Sequence, residues 1–305
     1  MCLPDTDKIK FRHLEKEIHV MKVFSTVKGV KEHYRIHELR TPGLVPTMGA
    51  LHEGHLSLVE TAIKSCRMVA VTIFVNPTQF NDPEDLKKYP RTIDADLQML
   101  SGLLRETDFV FAPSVSEIYP EPDTRVFDFG ELGQVMEGLH RPGHFNGVAQ
   151  VVSKLFDIIR PSVAFFGQKD LQQLAIIREL ARRDYPGIEI ISCPIVRESD
   201  GLAMSSRNRL LSPEHRESAG EIYRTLISAS AMAADYEPAE IKEYVADRLD
   251  MIPGFRIEYF EIVDEMSMIP VTSREEMSPD KHYFGCIALY AGDVRLIDNI
   301  AISLL

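Results

Sequence analysis

The stretch PTMGALHEGHLSL (residues 46–58) carries two histidines, His52 and His55, three residues apart, with glycines at Gly49 and Gly54. The apolar run GLVPT (43–47) leads into it, and HLSLVETAIKSC (55–66) follows with an amphipathic pattern. A strand ends here and a helix begins. In an open α/β sheet, such a turn offers backbone N–H groups and the positive end of a helix dipole to anions. Three readings stand on these residues: a nucleotide triphosphate site, a metal site, or only a turn. Zinc sites on helices favour H-E-x-x-H, whose histidines share a face, and Gly54 interrupts the helix such a site needs. The nucleotide reading is preferred, with glycines that let backbone approach a phosphate.

The alternation of short apolar runs with amphipathic stretches continues outward. MVAVTIFVN (68–76) precedes DADLQMLSGLL (94–104); DFVFAP (108–113) follows; SVAFFG (162–167) precedes DLQQLAIIRELARR (170–183); IEIISCPIV closes the series at Val196. Continuous rather than alternating apolar runs mark strands buried on both faces of a parallel sheet, with helices as crossovers. The expected fold class is α/β: a doubly wound parallel sheet over residues 21–196. Beyond it, residues 212–236 and 238–252 read as two consecutive helices, the first opening on Ser212 with Pro213 at its first helical position. RIEYFEIVD, YFGCIALYAG and VRLIDN then read as strands without intervening helices. That pattern predicts a second, smaller α+β C-terminal domain over residues 197–305. Residues 1–20 read as a polar N-terminal extension.

Composition narrows the function. The net charge of −12 argues against a general affinity for nucleic acid or anionic membrane, both of which require a broad basic surface. Cys2, Cys66, Cys193 and Cys286 are widely separated and form no C-x-x-C pair, so they specify neither a zinc site nor a disulfide framework. The first twenty residues lack the apolar stretch of a secretory signal, and residues 68–75 are too few to span a bilayer. A soluble cytoplasmic protein acting on small molecules is the expectation.

Four further stretches carry candidate chemistry. RESDGLAMSSRNRLLS (197–212) sets Ser205 and Ser206 beside Arg207 just before a helix; alone it reads as a capping loop, but with a distant H-x-G-H it supplies what a triphosphate needs. In AFFGQKDLQQL (164–174), Gly167 makes the turn after a strand, and Lys169 and Asp170 stand where a lysine neutralises phosphate and an aspartate accepts ribose hydroxyls. The alternative is a helix start capped by Asp170 with an exposed lysine. In TIFVNPTQF (72–80), Gln79 follows a strand, and with Gln173 it offers neutral amides suited to a hydroxy acid rather than a second phosphate. KKYPRTIDADL (87–97) supplies Asp94 and Asp96, as solvated helix-start acids or as outer-sphere magnesium ligands.

Assembled, PTMGALHEGHLSLV, IFVNPTQF, YPRT, RPGHFNGVAQVVSKLF, FFGQKDLQQLAIIREL, DGLAMSSRN and RLIDN make the chain from Met21 to Leu305 resemble the pantothenate synthetase (pantoate:β-alanine ligase) family of the H-x-G-H nucleotidyl transferase group. The resemblance implies a Rossmann-type ATP- and pantoate-binding domain, a smaller domain closing over it, and a homodimer. It implies ATP and Mg2+ as requirements, with pantoate joined to β-alanine through a pantoyl adenylate. By matching motif, it implies an ATP site of Met48, Gly49, His52, His55, Gly167, Gln168, Lys169, Asp170, Val196, Met204, Ser205, Ser206 and Arg207. Of these, His55, in the proton-donor position, His52, Lys169 and Arg207 are the expected catalytic residues, with Gln79 and Gln173 as pantoate and β-alanine contacts. Gln168 departs from the glutamate many members carry, and Ala95 replaces an acid, leaving Asp96 as the carboxylate expected near magnesium. A nucleotidyl transferase acting on a phosphorylated substrate is the competing activity; it would require a second cationic pocket.

Overall fold

The computed structural model describes residues 21–37 and 41–303, so the expected extension at residues 1–20 lies outside the described part. The first half runs β1 (Lys22–Phe24), α1 (Val27–His37), β2 (Gly43–Thr47), α2 (Glu53–Ser65), β3 (Val69–Ile73), α3 (Pro83–Lys88), α4 (Ile93–Ser101) and β4 (Phe109–Phe111). It continues through α5 (Val115–Ile118), α6 (Met136–His140), α7 (His144–Ile159), β5 (Val163–Gly167), α8 (Leu171–Asp184) and β6 (Glu189–Cys193). Then come α9 (Pro213–Ser218), α10 (Gly220–Met232), α11 (Pro238–Asp250), β7 (Phe255–Asp264), β8 (Tyr283–Ala291) and β9 (Val294–Ile302).

Strands β1 to β6 form one sheet in the order β1-β4-β3-β2-β5-β6, every pair parallel. Every residue of β3 and β4 is buried, which is why those strands are apolar apart from Thr72; the edge strands β1 and β6 are not fully buried. The chain leaves β2 toward β3 and leaves β5 toward β6, in opposite directions from adjacent strands. The order therefore reverses between β2 and β5, and a crevice opens at their carboxyl ends. Strands β7, β8 and β9 form the expected small antiparallel sheet.

Helices α10 and α11 cover one face of this second sheet around Ile222, Leu226, Val245, Leu249 and Ile287. From the same sheet Val263, Phe284 and Cys286, and from the connection after β7 Met268, join the core of α7 and α8, so packing continues across residue 196 without a break.

Three elements depart from the sequence reading. Strand β1 is three residues long at a sheet edge and carries almost no signal. Helix α7 was not anticipated, although Phe145, Val148, Val151, Val152, Leu155, Phe156 and Ile159 repeat at helical spacing and are buried. The single helix expected from Ser212 divides at Ala219, where the Asp200 loop approaches: a Cβ on Gly220 would lie 2.9 Å from the Asp200 carbonyl oxygen. Its start is as expected, with Ser212 Oγ accepting from His215 N at 3.2 Å and Pro213 following.

Candidate active site

The crevice between β2 and β5 opens to solvent. Its walls come from the ends of β2, β3 and β5, from the first turn of α2, from α7 and from residues 194–207. Thirteen of the residues singled out in the sequence line it: Met48, His52, His55, Gln79, Gly167, Lys169, Asp170, Gln173, Val196, Met204, Ser205, Ser206 and Arg207. Gly49, Gln168 and Asp96 do not.

The histidine turn is held differently from the expectation. Helix α2 begins at Glu53, so Gly54 lies inside its first turn, and a Cβ there would meet the His52 ring at 2.9 Å. His52 is the N-cap: its Nδ1 accepts from Gly54 N at 3.2 Å, and His55 Nδ1 accepts from His52 N at 3.3 Å, a reciprocal capping box built from imidazoles. Because a backbone N–H can only donate, each Nδ1 is an acceptor, and each neutral ring carries its proton on Nε2. Burial pushes His52 down to about 4, with the charges of Lys169 and Arg209 adding to it. Burial likewise pushes His55 down to about 3, followed by its neighbours His52 and Lys169. The cleft thus receives two neutral Nε2–H donors. Both rings have their second nitrogen committed to the helix start, so they do not form a two-histidine metal site.

Backbone amides of the turn are not the phosphate cradle that the glycines suggested. Gly49 N donates to Thr47 Oγ1 at 3.2 Å, and Ala50 N and Leu51 N donate to Asp96 Oδ2 and Oδ1 at 3.0 and 2.8 Å. Gly49 and Ala50 both take positive φ, +78° and +50°, a conformation an alanine adopts only under constraint. Asp96, 2% exposed, supplies that constraint and also accepts from Thr92 Oγ1 at 3.1 Å. Asp96 therefore lies outside the crevice lining, and its two oxygens accept from Ala50 N, Leu51 N and Thr92 Oγ1, which gives it a part in holding the histidine turn. Among the described residues, no group of three or more His, Cys, Asp or Glu side chains is placed to hold a metal ion.

Facing the histidines, a 3-10 turn at Gln168–Asp170 leads from β5 into α8. The Lys169 ammonium makes no ion pair or hydrogen bond among the described residues, and Asp170 is exposed and makes no side-chain cap bond. Both are therefore uncommitted, against the capping alternative. From the other side, Ser206 Oγ donates to the Ala50 carbonyl at 3.0 Å, spending its proton on the histidine turn, while Ser205 Oγ accepts from Arg207 N at 3.3 Å and keeps its own. Arg207 pairs with Asp85 at 3.0 Å in a partly exposed ion pair worth about 1 kcal/mol or less, which opens readily for a stronger anion.

The amide corner is preorganised by residues that the sequence reading left without a role. Gln79 is 7% exposed; its Oε1 accepts from Asn76 Nδ2 at 3.0 Å, which fixes which end of the amide is the donor. Asn76 is itself held by the Gly147 carbonyl and the Tyr119 hydroxyl. His144, driven down to about 4 by burial and then by Arg141, bonds the Gln79 carbonyl at 2.8 Å. Helix α7 comes this close because Gly147 has no side chain: a Cβ would lie 2.3 Å from the Thr78 carbonyl oxygen. Val148, Val151, Val152 and Leu155 of α7 give this end of the cleft an apolar wall.

Known proteins of similar sequence and structure narrow the chemistry. A family model described as pantoate-beta-alanine ligase matches residues 21–301. The pantothenate synthetase of Bacteroides fragilis is 51% identical over 282 residues, 92% of this chain and 98% of that protein. That of Phocaeicola vulgatus is 52% identical over 283 residues, covering 92% and 99%. Among solved structures, pantothenate synthetase from Thermus thermophilus aligns with a TM-score of 0.83 at 39% identity, covering 92% of this chain and 99% of that one. Pantoate-beta-alanine ligase from Francisella tularensis, complexed with beta-gamma ATP and beta-alanine, aligns with a TM-score of 0.75 at 34% identity, covering 92% and 98%.

Proposed function

Because the chain belongs to the pantoate–β-alanine ligase family, which condenses pantoate with β-alanine using ATP, we propose that the β2/β5 crevice performs both steps and that its residues divide as follows. A carboxylate resists amine attack because its leaving group would be an oxide, so it is first activated. An oxygen of the pantoate carboxylate bonds to the α-phosphorus of ATP as the bond to pyrophosphate breaks. The β-alanine amine then bonds to the acyl carbon as AMP leaves, and the nitrogen loses a proton. The protein's part is to position the reactants and to stabilise charge moving onto phosphate oxygens.

His52 and His55 act as neutral Nε2–H donors to those oxygens. Their depressed pKa values support this role over proton transfer from an imidazolium. Lys169 and Arg207 supply positive charge, Ser205 a hydroxyl donor, and Asp170 an acceptor for ribose. Gln79 and Gln173 bind pantoate and β-alanine, with the α7 wall against the pantoate methyl groups. Residues 21–196 form the unit that holds nucleotide and pantoate, and residues 197–305 the smaller unit that covers them. Mg2+, as the family resemblance implies, would accompany the triphosphate and neutralise part of its charge, while Asp96 holds the histidine turn. A homodimer, as the family resemblance implies, and a cytoplasmic location, as the composition suggests, complete the reading.

One observation carries it: Nε2–H donors and an ammonium that have no partner among the described residues, together with an oriented neutral amide, line the same crevice at the switch point of the sheet. The competing transfer of a nucleotide to a phosphorylated substrate would need a second cationic pocket, where this cleft has amides and valines. Exchange of labelled pyrophosphate into ATP, without β-alanine, tests the reading. Exchange that depends on pantoate is expected; exchange without pantoate, or none at all, would overturn it.

A further inference from the structure

The RLIDN segment of β9 stands outside the cleft yet touches the loop that carries Lys169. Asn299 is 2% exposed, and its Nδ2 donates to the backbone carbonyls of Gln168 at 2.9 Å and Lys169 at 3.0 Å. Its amide protons are both spent on the turn from which Lys169 projects. Asn299 Oδ1, also buried, has no hydrogen-bond partner among the described residues. A carboxamide kept in place despite an unsatisfied acceptor indicates that its donors matter.

Asp298 holds Asn299 in turn. Its Oδ1 accepts from Asn299 N at 2.8 Å, and its two oxygens take the Arg197 guanidinium at 2.6 and 3.0 Å. That guanidinium also donates to the carbonyls of Gly201 and Asn299, at 3.1 and 3.2 Å, and lies 3.6 Å from the centre of the Tyr223 ring. This part of β9 is therefore tied down by Arg197 where it meets the lysine loop. No intraloop bond fixes the Lys169 side chain, so its location depends on its backbone, and its backbone is clamped by Asn299.

We propose that Asn299 is a positioning residue for adenylate formation: its carboxamide fixes the 168–169 backbone so that the Lys169 ammonium stands at the nucleotide phosphates, with no contact between Asn299 and substrate. The inference rests on the phosphate role assigned to Lys169. Its test is a double-mutant cycle read by pantoate-dependent pyrophosphate exchange, with thermal unfolding of each variant as the check on folding.

Lys169→Ala is expected to slow exchange about 10- to 100-fold, the range for one charge-assisted contact. Asn299→Ala is expected to slow it by at least about fivefold but by no more than Lys169→Ala does. Asn299→Ser, whose hydroxyl can still donate once, should fall between wild type and Asn299→Ala; it also serves if the alanine variant does not fold. In the Lys169→Ala background either change should alter the rate by less than about twofold. A strut that serves only the fold gives the opposite result, with the two losses multiplying. Multiplying losses, or full activity in Asn299→Ala or Asn299→Ser, would overturn the proposal. Full activity in Lys169→Ala would overturn the phosphate role and the proposal with it.

Discussion

Replacing Asp96 by asparagine separates the role found in the structure from the magnesium role that the family resemblance suggested. The carboxylate receives Leu51 N and Thr92 Oγ1 on Oδ1 and Ala50 N on Oδ2. An amide of the same shape can keep its oxygen on the side with two donors, but its NH2 then faces the Ala50 N–H. One charge-assisted bond becomes a buried, unsatisfied donor pair, which costs about 2–3 kcal/mol. The loss falls on a turn that already holds Ala50 at positive φ, a strain of about 1 kcal/mol or somewhat more. The turn should loosen, moving His52 and His55 and lowering kcat about 10- to 100-fold, since displacements near 1 Å have effects of that order. Ala50→Gly in the Asp96→Asn background removes the strain and should recover about 1 kcal/mol. Urea unfolding measures the stabilities, and a magnesium titration of the rate measures the other possibility. Unchanged stability together with a large rise in the Mg2+ concentration needed for half-maximal rate would refute the reasoning and return Asp96 to the metal.

The remaining expectations concern the histidines and the amides. His55→Ala should lower kcat for adenylate formation about 10²- to 10³-fold, the range for one preorganised donor, with little change in ATP affinity; unchanged adenylate formation would remove His55 from the chemistry. His52, His55 and His144 have folded pKa values of about 4, 3 and 4, below the 6.5 of the unfolded chain. The unfolded state therefore binds more protons from about pH 6.5 down to 4, so their contribution is complete above pH 6.5 and is lost as pH falls through that window. At pH 5 the loss is about 2 kcal/mol per histidine; equal urea stabilities at pH 7 and pH 5 would contradict it, and Glu137, held at about 2, does not titrate there. Calorimetry of Gln79→Ala and Gln173→Ala should show pantoate weakened far more than ATP, because a site built for hydroxyl groups is left with unpaired polar groups. Equal weakening of both ligands would place the two amides elsewhere.

The sheet and most of the cleft were legible in the sequence because both follow from short-range patterns. Strands buried on both faces of a parallel sheet are predominantly apolar, crossover topology brings strand ends together, and residues just after GLVPT, TIFVN and VAFFG then have one place to go. The commitments of individual polar atoms were not legible. Asp96 in the first turn of a helix reads the same whether it faces water, a metal or the amides of Ala50 and Leu51, 46 and 45 residues away. Likewise, nothing local distinguishes the Gly49–Ala50 amides as inward-facing; the histidine capping box, by contrast, joins residues only three apart and went unread because imidazoles stand where a hydroxyl and a carboxylate usually do. Asn299 reaches the Gln168 carbonyl across 131 residues, a pairing that carries no periodicity. A hydrogen bond is directional and satisfied within about half an ångström, so which donor meets which acceptor was decided only when the packed elements fixed their relative positions.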